Sequence, residues 1–180
     1  MSQLLLCCGA SAALHKGVDL ASKLTQAGHR VRAVLTPTAA RLVSPQLFEA
    51  VTSEPASVVE LGPERRGSMD HIELSTWAEA VLVAPATADL ISRLALGLGS
   101  DLVTTTLLAV PQGIPRMVCP AMNPNMLAHP AVARNLEVLA GDGWRVLETE
   151  SGHMACGVDG LGRLPEVGVI VEAVAEWLRG

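Results

Sequence analysis

Short apolar runs alternate along this chain with longer amphipathic stretches. The apolar runs at residues 4–8, 31–35, 80–84, 116–119 and 144–147 are predicted to be strands, with a shorter strand at 57–61. Helical patterns end at residue 28 and recur at 45–51, 89–96, 101–109, 129–139 and 167–178. Strands that are apolar throughout and separated by helices are typical of a parallel sheet covered on both faces.

The pattern therefore predicts one doubly wound α/β domain over residues 1–180, without repeats or linkers. Residues 62–70 and the glycine-rich residues 151–165 are predicted to be loops. In such a sheet, a ligand is expected at the carboxyl ends of the strands.

Composition narrows the class of protein. Apolar residues make up 49% of the chain, but no apolar run reaches 18 residues, so we expect no membrane span. A domain this rich in apolar residues is expected to bury part of its surface in a homo-oligomer. The net charge of -5, without a basic block, argues against nucleic acid as a partner. The first residues lack a signal-peptide pattern, so a cytoplasmic location is expected.

The four cysteines do not form a metal-binding pattern. There is no C-x-x-C pair, and no metal is expected. Cys7, Cys8 and Cys119 lie in predicted strands and are interpreted as small core hydrophobes. Cys156 differs, because it lies in a predicted loop between small residues.

Small and hydroxyl-bearing residues follow the first two strands. Gly9, Ala10 and Ser11 open a predicted helix, whose N-terminal N–H groups and the Ser11 hydroxyl suit a phosphate. An ordinary strand–helix turn is the alternative. Thr36 and Thr38 could add donors or could cap a helix. Neither a dinucleotide fingerprint nor a P-loop is present.

The strand at 80–84 is followed by small residues that would let a planar ring approach the backbone. These residues are Pro85, Ala86, Thr87, Ala88 and Asp89. Asp89 could instead cap the next helix.

Two polar residues in other loops are candidates for chemistry. Asn123 lies in a Pro- and Met-rich loop after the strand at 116–119, and its amide can hold a carboxylate without placing a negative charge beside it. An Asx-turn is the alternative. His71 starts a helix beside Asp70 and is a candidate base or a residue near the helix cap.

Four segments together resemble a known family. Residues 85–90 look like a P-A-S-A-N-T-type flavin loop, and residues 120–123 with Met126 look like a P-x-M-N-x-x-M substrate motif. Residues 67–74 resemble a segment that bears an essential histidine. Residues 155–157 and 160–166 resemble the A-C-G segment of phosphopantothenoylcysteine decarboxylases. From residue 9 to about 166, the chain is similar to the homo-oligomeric flavin-containing cysteine decarboxylases.

The resemblance implies a three-layer, flavodoxin-like (Rossmann-like) fold that binds FMN. It also implies a trimer with sites between subunits, or a dodecamer assembled from such trimers. FMN would be held by residues of the loops described above: Gly9, Ala10, Ser11, Thr36, Thr38, Pro85, Ala86, Thr87, Ala88 and Asp89.

The implied reaction converts 4'-phosphopantothenoyl-L-cysteine into 4'-phosphopantetheine in coenzyme A biosynthesis. It proceeds by thiol oxidation, decarboxylation and re-reduction. By resemblance, His71 assists the oxidation and proton transfer, and Asn123 binds the carboxylate. Met126 and Ala155 line the substrate pocket, and Cys156 donates the final proton.

Several alternatives remain open. A decarboxylase of a peptide C-terminal cysteine would stop at the enethiol, and the described members lack the A-C-G cysteine, so Cys156 discriminates. A flavin prenyltransferase would suit residues 9–11 but not the loop at 120–123. An inhibitory binding subunit and an electron carrier are further alternatives.

The chain departs from the family at two points. Residues 9–12 read Gly-Ala-Ser-Ala, where many bacterial relatives have Ser-Gly-Gly-Ile, so the side chain that meets the FMN phosphate stays open. Many relatives are also fused to a synthetase that makes the substrate. Here we expect a separate synthetase.

Overall fold

The apolar runs of the sequence form a parallel sheet. The structure, a computed structural model, describes residues 1–60, 69–153, 157 and 159–179. The sheet strands are Gln3–Cys8 (β1), Arg30–Leu35 (β2), Ala56–Ser57 (β3), Ala80–Ala86 (β4), Arg116–Pro120 (β5) and Arg145–Val146 (β6). Glu150–His153 (β7) and Asp159–Arg163 (β8) form a separate antiparallel hairpin.

Helices connect the strands. They are Leu14–Gln26 (α1), Pro45–Thr52 (α2), Asp70–Trp77 (α3), Ala88–Ala95 (α4), Leu102–Ala109 (α5), Pro124–Leu127 (α6), Pro130–Gly141 (α7) and Val167–Trp177 (α8), with a 3-10 turn at Ala39–Arg41. Of the helices that the structure describes, none combines the length and the apolarity needed to cross a membrane.

The strand order of the main sheet is β3-β2-β1-β4-β5-β6, and its strand pairs are parallel. The order reverses between β1 and β4, which pair directly. A ligand site is expected where the loops after these two strands diverge.

Helices cover both faces of the sheet. Leu4 and Leu6 of β1 belong to a core formed with α1, α2 and α8. Leu5 and Cys7 point to the opposite face, where the core is completed by α3, α4, α5 and α7. Because β1 and β4 are buried on both faces, each reads as a continuous apolar run. The predicted three-layer, doubly wound, flavodoxin-like fold is confirmed.

The glycine-rich residues 151–165 were predicted to be a loop, and this prediction is wrong for residues 151–153 and 159–163. They contribute most of the β7–β8 hairpin. Glycines at 152, 160 and 162 carry no side chains, so the two-residue alternation that announces a strand is missing from the sequence. Gly162 has φ +122°, a backbone conformation that residues with side chains rarely adopt.

Other differences concern boundaries. The first helix begins at Leu14 and not directly after Ser11. The strand predicted at 57–61 is confined to Ala56–Ser57. Residues 61–68, which include most of the loop predicted at 62–70, lie outside the described residues.

Candidate functional site

A cavity of about 580 Å³ lies at the carboxyl ends of the strands. Its walls come from the loops after β1, β2, β4 and β5, from the start of α1, and from β8 and the residue after it. Small-molecule sites commonly have volumes of about 300–1,000 Å³. The cavity therefore has the position and size of a site for a small ligand.

Most of the predicted site residues meet in this cavity. Nine of them line it: Ala10, Ser11, Thr36, Thr38, Thr87, Ala88, Asp89, Asn123 and Met126. Gly9, Pro85 and Ala86 were also predicted to bind the cofactor, but they are not among the lining residues.

Gly9, Pro85 and Ala86 instead set the spacing of the walls. The Gly9 N–H donates to the Pro85 carbonyl at 2.9 Å, across the point where the strand order reverses. A Cβ on Gly9 would lie 3.0 Å from the same oxygen, so a side chain would push the loops apart. The Ala86 carbonyl accepts from the Ala121 N–H at 2.9 Å and ties in the loop after β5.

Two of the hydroxyl-bearing residues that line the cavity also hold their own loops. Ser11 Oγ accepts from the Ala13 N–H at 3.2 Å. Thr38 occupies the N-cap position of the 3-10 turn, without a capping hydrogen bond from its side chain. Buried Thr36, two residues earlier, accepts from the Ala39 N–H through Oγ1 at 3.2 Å. A hydroxyl that accepts one hydrogen bond keeps its own proton to donate. These two groups are therefore suited to face an anion.

A charged network stands at the start of α4. Thr87 caps this helix, because its Oγ1 accepts from the Leu90 N–H at 3.3 Å, and the interpretation of Asp89 as the cap is therefore wrong. Asp89 is mostly exposed and pairs with Arg93 one turn later. Arg93 also contacts Asp101 at 2.6 Å.

The pKa of Asp101 is lowered within this network. Desolvation raises the pKa, but hydrogen bonds from Thr104 and Arg93 outweigh desolvation and hold the pKa below its usual value of 3.8. Arg93 lines the cavity, and its guanidinium donates hydrogen bonds to both carboxylates.

Asn123 begins the short helix α6. Its Oδ1 accepts from the Asn125 N–H at 2.9 Å, so the alternative interpretation as an Asx-turn is confirmed. Because that contact uses the amide oxygen, a hydrogen bond from Asn123 to a carboxylate would come from Nδ2. Met126 is half-exposed on α6 and lines the same wall.

The β7–β8 hairpin packs on the loop that carries Asn123. The Met122 N–H donates to the Gly162 carbonyl at 2.9 Å. A Cβ on Gly162 would lie 2.2 Å from the Met122 carbonyl oxygen, and one on Gly160 would lie 2.8 Å from Pro124 Cγ. Only glycine permits this approach.

Two predicted residues of this region cannot be placed. Ala155 and Cys156 belong to the connection between β7 and β8 and lie outside the described residues.

His71 stands in the first turn of α3 and does not line the cavity. Its Nδ1 lies 2.8 Å from Glu60 Oε2, and its side chain is 20% exposed. Within one chain, the described residues thus do not bring the predicted base together with Asn123.

The thiols of the strands are confirmed as core residues. Cys7, Cys8 and Cys119 are fully buried. Burial raises the pKa of the Cys8 thiol far above its usual value, and that of Cys119 to about 12. Such thiols stay protonated at neutral pH and are poor nucleophiles.

Sequence reasoning missed several charged residues. Arg93 could have been found, because it follows Asp89 by four residues, the spacing of a helical ion pair. Lys16 also lines the cavity, 3.0 Å from Glu166, and Arg163 enters from the hairpin. Arg163 lay in the segment 160–166 that carries the family resemblance, but it was interpreted as part of a loop and given no role. Glu60 gave no sequence signal, since it lies eleven residues before His71.

Comparison with known proteins places these features in context. The chain is 42% identical over 168 residues to the coenzyme A biosynthesis bifunctional protein CoaBC of Bacillus subtilis. The match covers 93% of this chain but 41% of that relative, so the chain spans about two fifths of its length.

Two solved structures share the fold over nearly all of both chains. One is a mutant PPC decarboxylase complexed with pantothenoylaminoethenethiol, with a TM-score of 0.85, 26% identity and 99% of each chain covered. The other is the FMN-dependent cysteine decarboxylase SpaF, with a TM-score of 0.82 and 28% identity, covering 99% of this chain and 98% of the other.

The family model described as Flavoprotein matches residues 1–179, nearly the whole chain. This protein therefore belongs to the Flavoprotein family.

Proposed function

We propose that this protein is an FMN-dependent decarboxylase that converts 4'-phosphopantothenoyl-L-cysteine into 4'-phosphopantetheine. The observation that carries the proposal is the cavity at the strand reversal, where the loop of Asn123 and Met126 meets the loops of Ser11 and Thr87. The names of the similar proteins, CoaBC and PPC decarboxylase, support the same substrate.

The residues present fit FMN. Ser11, Thr36 and Thr38 line the cavity and offer hydroxyls to a phosphate. Ala10, Ala88 and Ala121 have small side chains along the walls and leave room for a planar ring. The close approach at Gly9 keeps the loops after β1 and β4 together beneath that space.

Bound FMN would supply a reversible acceptor for two electrons from the thiol-bearing carbon of the substrate. The side chains would handle the protons and the carboxylate. His71 would take the thiol proton while that carbon is oxidised. The oxidation creates an electron sink β to the carboxylate, so that the C–C bond can break and release carbon dioxide.

Asn123 would hold the leaving carboxylate through Nδ2. An amide donates a neutral hydrogen bond, which binds the anion less tightly than an ion pair would. A group that must lose its charge in the reaction is better held this way, because strong binding of the ground state would raise the barrier.

Cys156 would deliver a proton after carbon dioxide has left. An unperturbed thiol, with a pKa of about 8.5, is mostly protonated at neutral pH and can act as an acid. Over the whole cycle the substrate loses carbon dioxide and gains one proton, so no external oxidant or reductant is consumed. A ligase that couples cysteine to a phosphorylated pantothenate must supply the substrate.

The site would be completed by a second copy of the chain in a trimer or a multiple of it. His71 does not line the cavity of its own chain. Ile72 beside it and Leu108 on α5 are exposed, and α3 packs against α5. Leu96 and Leu98, after α4, are also exposed and flank Gly97, which approaches Leu108. Such an apolar surface on neighbouring elements suits a self-association interface.

One assay tests the activity. Purified protein reconstituted with FMN is given phosphopantothenoylcysteine, and carbon dioxide and product mass are measured. Release of carbon dioxide with formation of phosphopantetheine supports the proposal. An enethiol as the final product, with a cysteine-terminated peptide preferred as substrate, would favour the peptide decarboxylase. Failure to bind FMN or release carbon dioxide from either substrate would contradict both.

A mixing experiment tests the shared site. His71→Asn and Asn123→Ala chains are each expected to be inactive alone. Co-expressed at equal levels, they should form mixed oligomers in which about a quarter of the sites combine both native residues. Recovery of that fraction of activity supports a site built from two subunits. If the mixture stays inactive, or if the wild type is a fully active monomer, the shared site is wrong.

A further inference from the structure

We infer that Glu60 is a positioning residue for His71, fixing which ring nitrogen carries the proton. The inference rests on the proposed function, because it concerns the residue that would take the thiol proton. Glu60 belongs to none of the motifs that pointed to the site.

The Glu60 carboxylate is tied to the first turn of α3 by both of its oxygens. Oε1 accepts from the Asp70 N–H at 2.7 Å. Oε2 lies 2.8 Å from His71 Nδ1 and 3.4 Å from the His71 N–H. The two side chains are only 26% and 20% exposed. Because the Asp70 N–H holds one oxygen of the Glu60 carboxylate, the other oxygen is kept beside the His71 ring.

Ionisation of Glu60 decides the direction of the ring contact. Desolvation raises its pKa, but hydrogen bonds from the His71 ring and the Asp70 N–H outweigh this and hold the pKa below the usual value. At neutral pH the group is therefore a carboxylate, which can only accept hydrogen bonds. Nδ1 must then carry the hydrogen at the 2.8 Å contact.

The consequence falls on the other side of the ring. A neutral imidazole with its hydrogen on Nδ1 has its lone pair on Nε2. Nε2 is thus the atom prepared to take a proton from the substrate thiol. Without Glu60, nothing in this contact would stop the ring from placing its hydrogen on Nε2, where it would block that step.

A simpler role must be separated from this one, because Glu60 also caps α3. Glu60→Gln makes the separation. The amide oxygen can still accept from the Asp70 N–H, which leaves the NH₂ group facing Nδ1. An NH₂ donor there requires a lone pair on Nδ1, so the hydrogen moves to Nε2. Glu60→Gln should keep the hydrogen bond from the Asp70 N–H and move the ring hydrogen of His71 from Nδ1 to Nε2. Glu60→Ala should lose that hydrogen bond and leave the ring hydrogen without a preferred nitrogen.

The first readout does not depend on activity. ¹⁵N NMR of histidine-labelled protein at about pH 8, where histidine rings are mostly neutral, reports which nitrogen carries hydrogen. The signals of His71 are identified by their loss in His71→Asn. We expect the Nδ1–H form in the wild type, the Nε2–H form in Glu60→Gln, and a mixture in Glu60→Ala.

The second readout is steady-state kinetics with FMN and phosphopantothenoylcysteine. At metal sites, removing the carboxylate partner of a ligating histidine costs about 10- to 100-fold in metal affinity or activity. By analogy we expect a fall of that size in kcat for both variants, with KM changed less than about twofold, since Glu60 does not line the cavity. Glu60→Gln should unfold near the wild-type temperature.

Glu73→Gln is the matched control. Glu73 lies in the same first turn of α3, but its partner is Arg32 at 3.3 Å and not the ring. It should leave both the His71 signals and kcat at wild-type values.

Three results would overturn the inference. The first is the Nε2–H form of His71 in the wild type, and the second is an Nδ1–H form that persists in both Glu60 variants. The third is a wild-type kcat in Glu60→Gln although its His71 carries the hydrogen on Nε2. A wild type that releases no carbon dioxide would instead defeat the proposed function. The NMR comparison would still decide whether Glu60 sets the state of His71.

Discussion

Replacing Gly162 by alanine should separate the β7–β8 hairpin from the loop that carries Asn123. At φ +122°, a side chain costs about 1–3 kcal/mol in backbone strain. The new Cβ would stand 2.2 Å from the Met122 carbonyl oxygen, so hairpin and loop would have to move apart by roughly 1 Å. That movement also breaks the 2.9 Å hydrogen bond from the Met122 N–H, worth about 1 kcal/mol.

Gly143→Ala is the control, because Gly143 has φ +86° and a Cβ added there would meet no atom within 4 Å. Gly143→Ala therefore introduces the backbone strain of a positive φ without a steric collision. We expect Gly162→Ala to be less stable than the control by about 2–3 kcal/mol, from the collision and the lost hydrogen bond. Thermal unfolding at a fixed protein concentration should show this as a midpoint roughly 4–12 °C lower.

The effect on activity should be larger than the effect on stability. A displacement of about 1 Å in a group that positions substrate can cost on the order of 100-fold in rate. We expect that loss in decarboxylation by Gly162→Ala at a temperature where it remains folded. If Gly162→Ala matched Gly143→Ala in both midpoint and rate, the hairpin would not be seated on the Asn123 loop as described.

Further predictions concern other parts of the site. His71→Asn should leave the absorption of bound FMN unchanged when substrate is added, and a bleached spectrum would contradict its role. Cys156→Ser should still release carbon dioxide but accumulate an enethiol by mass spectrometry, because a hydroxyl is a far weaker acid than a thiol. Normal phosphopantetheine at the wild-type rate would refute that assignment. A thiol reagent should label at most one cysteine quickly in the native protein, and none in Cys156→Ser, since the three strand thiols are buried. Asp101→Asn should destabilise the protein at pH 7, where the lowered pKa of Asp101 makes its full contribution. That contribution is lost as the pH falls through the lowered pKa, so the unfolding midpoints of mutant and wild type should converge as the medium is acidified past the pKa of Asp101 in the folded protein.

The sheet could be predicted because its central strands are buried on both faces. β1 and β4 contain only apolar or small residues after Gln3, and each was placed within two residues of its observed bounds. The hairpin was missed for the opposite reason. Gly160 and Gly162 lie against the Asn123 loop, and a contact between distant segments leaves no local pattern in the sequence.

The site was predictable where topology alone brings residues together. Parallel strands end at one edge, so the loops carrying Ser11, Thr36, Thr87 and Asn123 had to meet there. The partner of His71 was not predictable, because it depends on how the chain returns from Glu60 to α3. The sequence does not encode that path in any repeating pattern.

The independence of the hairpin from the main sheet has a consequence for how such a protein can change over time. β7 and β8 pair only with each other among the described strands, Gly160 and Gly162 lie against the Asn123 loop, and Gly162 and Arg163 line the cavity. Under the proposed function, loss or gain of Cys156 in the connection between these strands would change the terminal protonation and not the opening steps, which depend on His71 and Asn123. Under the proposed function, evolution could therefore add or remove the terminal protonation by substitutions in the β7–β8 hairpin region alone. Such a change would alter the end product of the reaction.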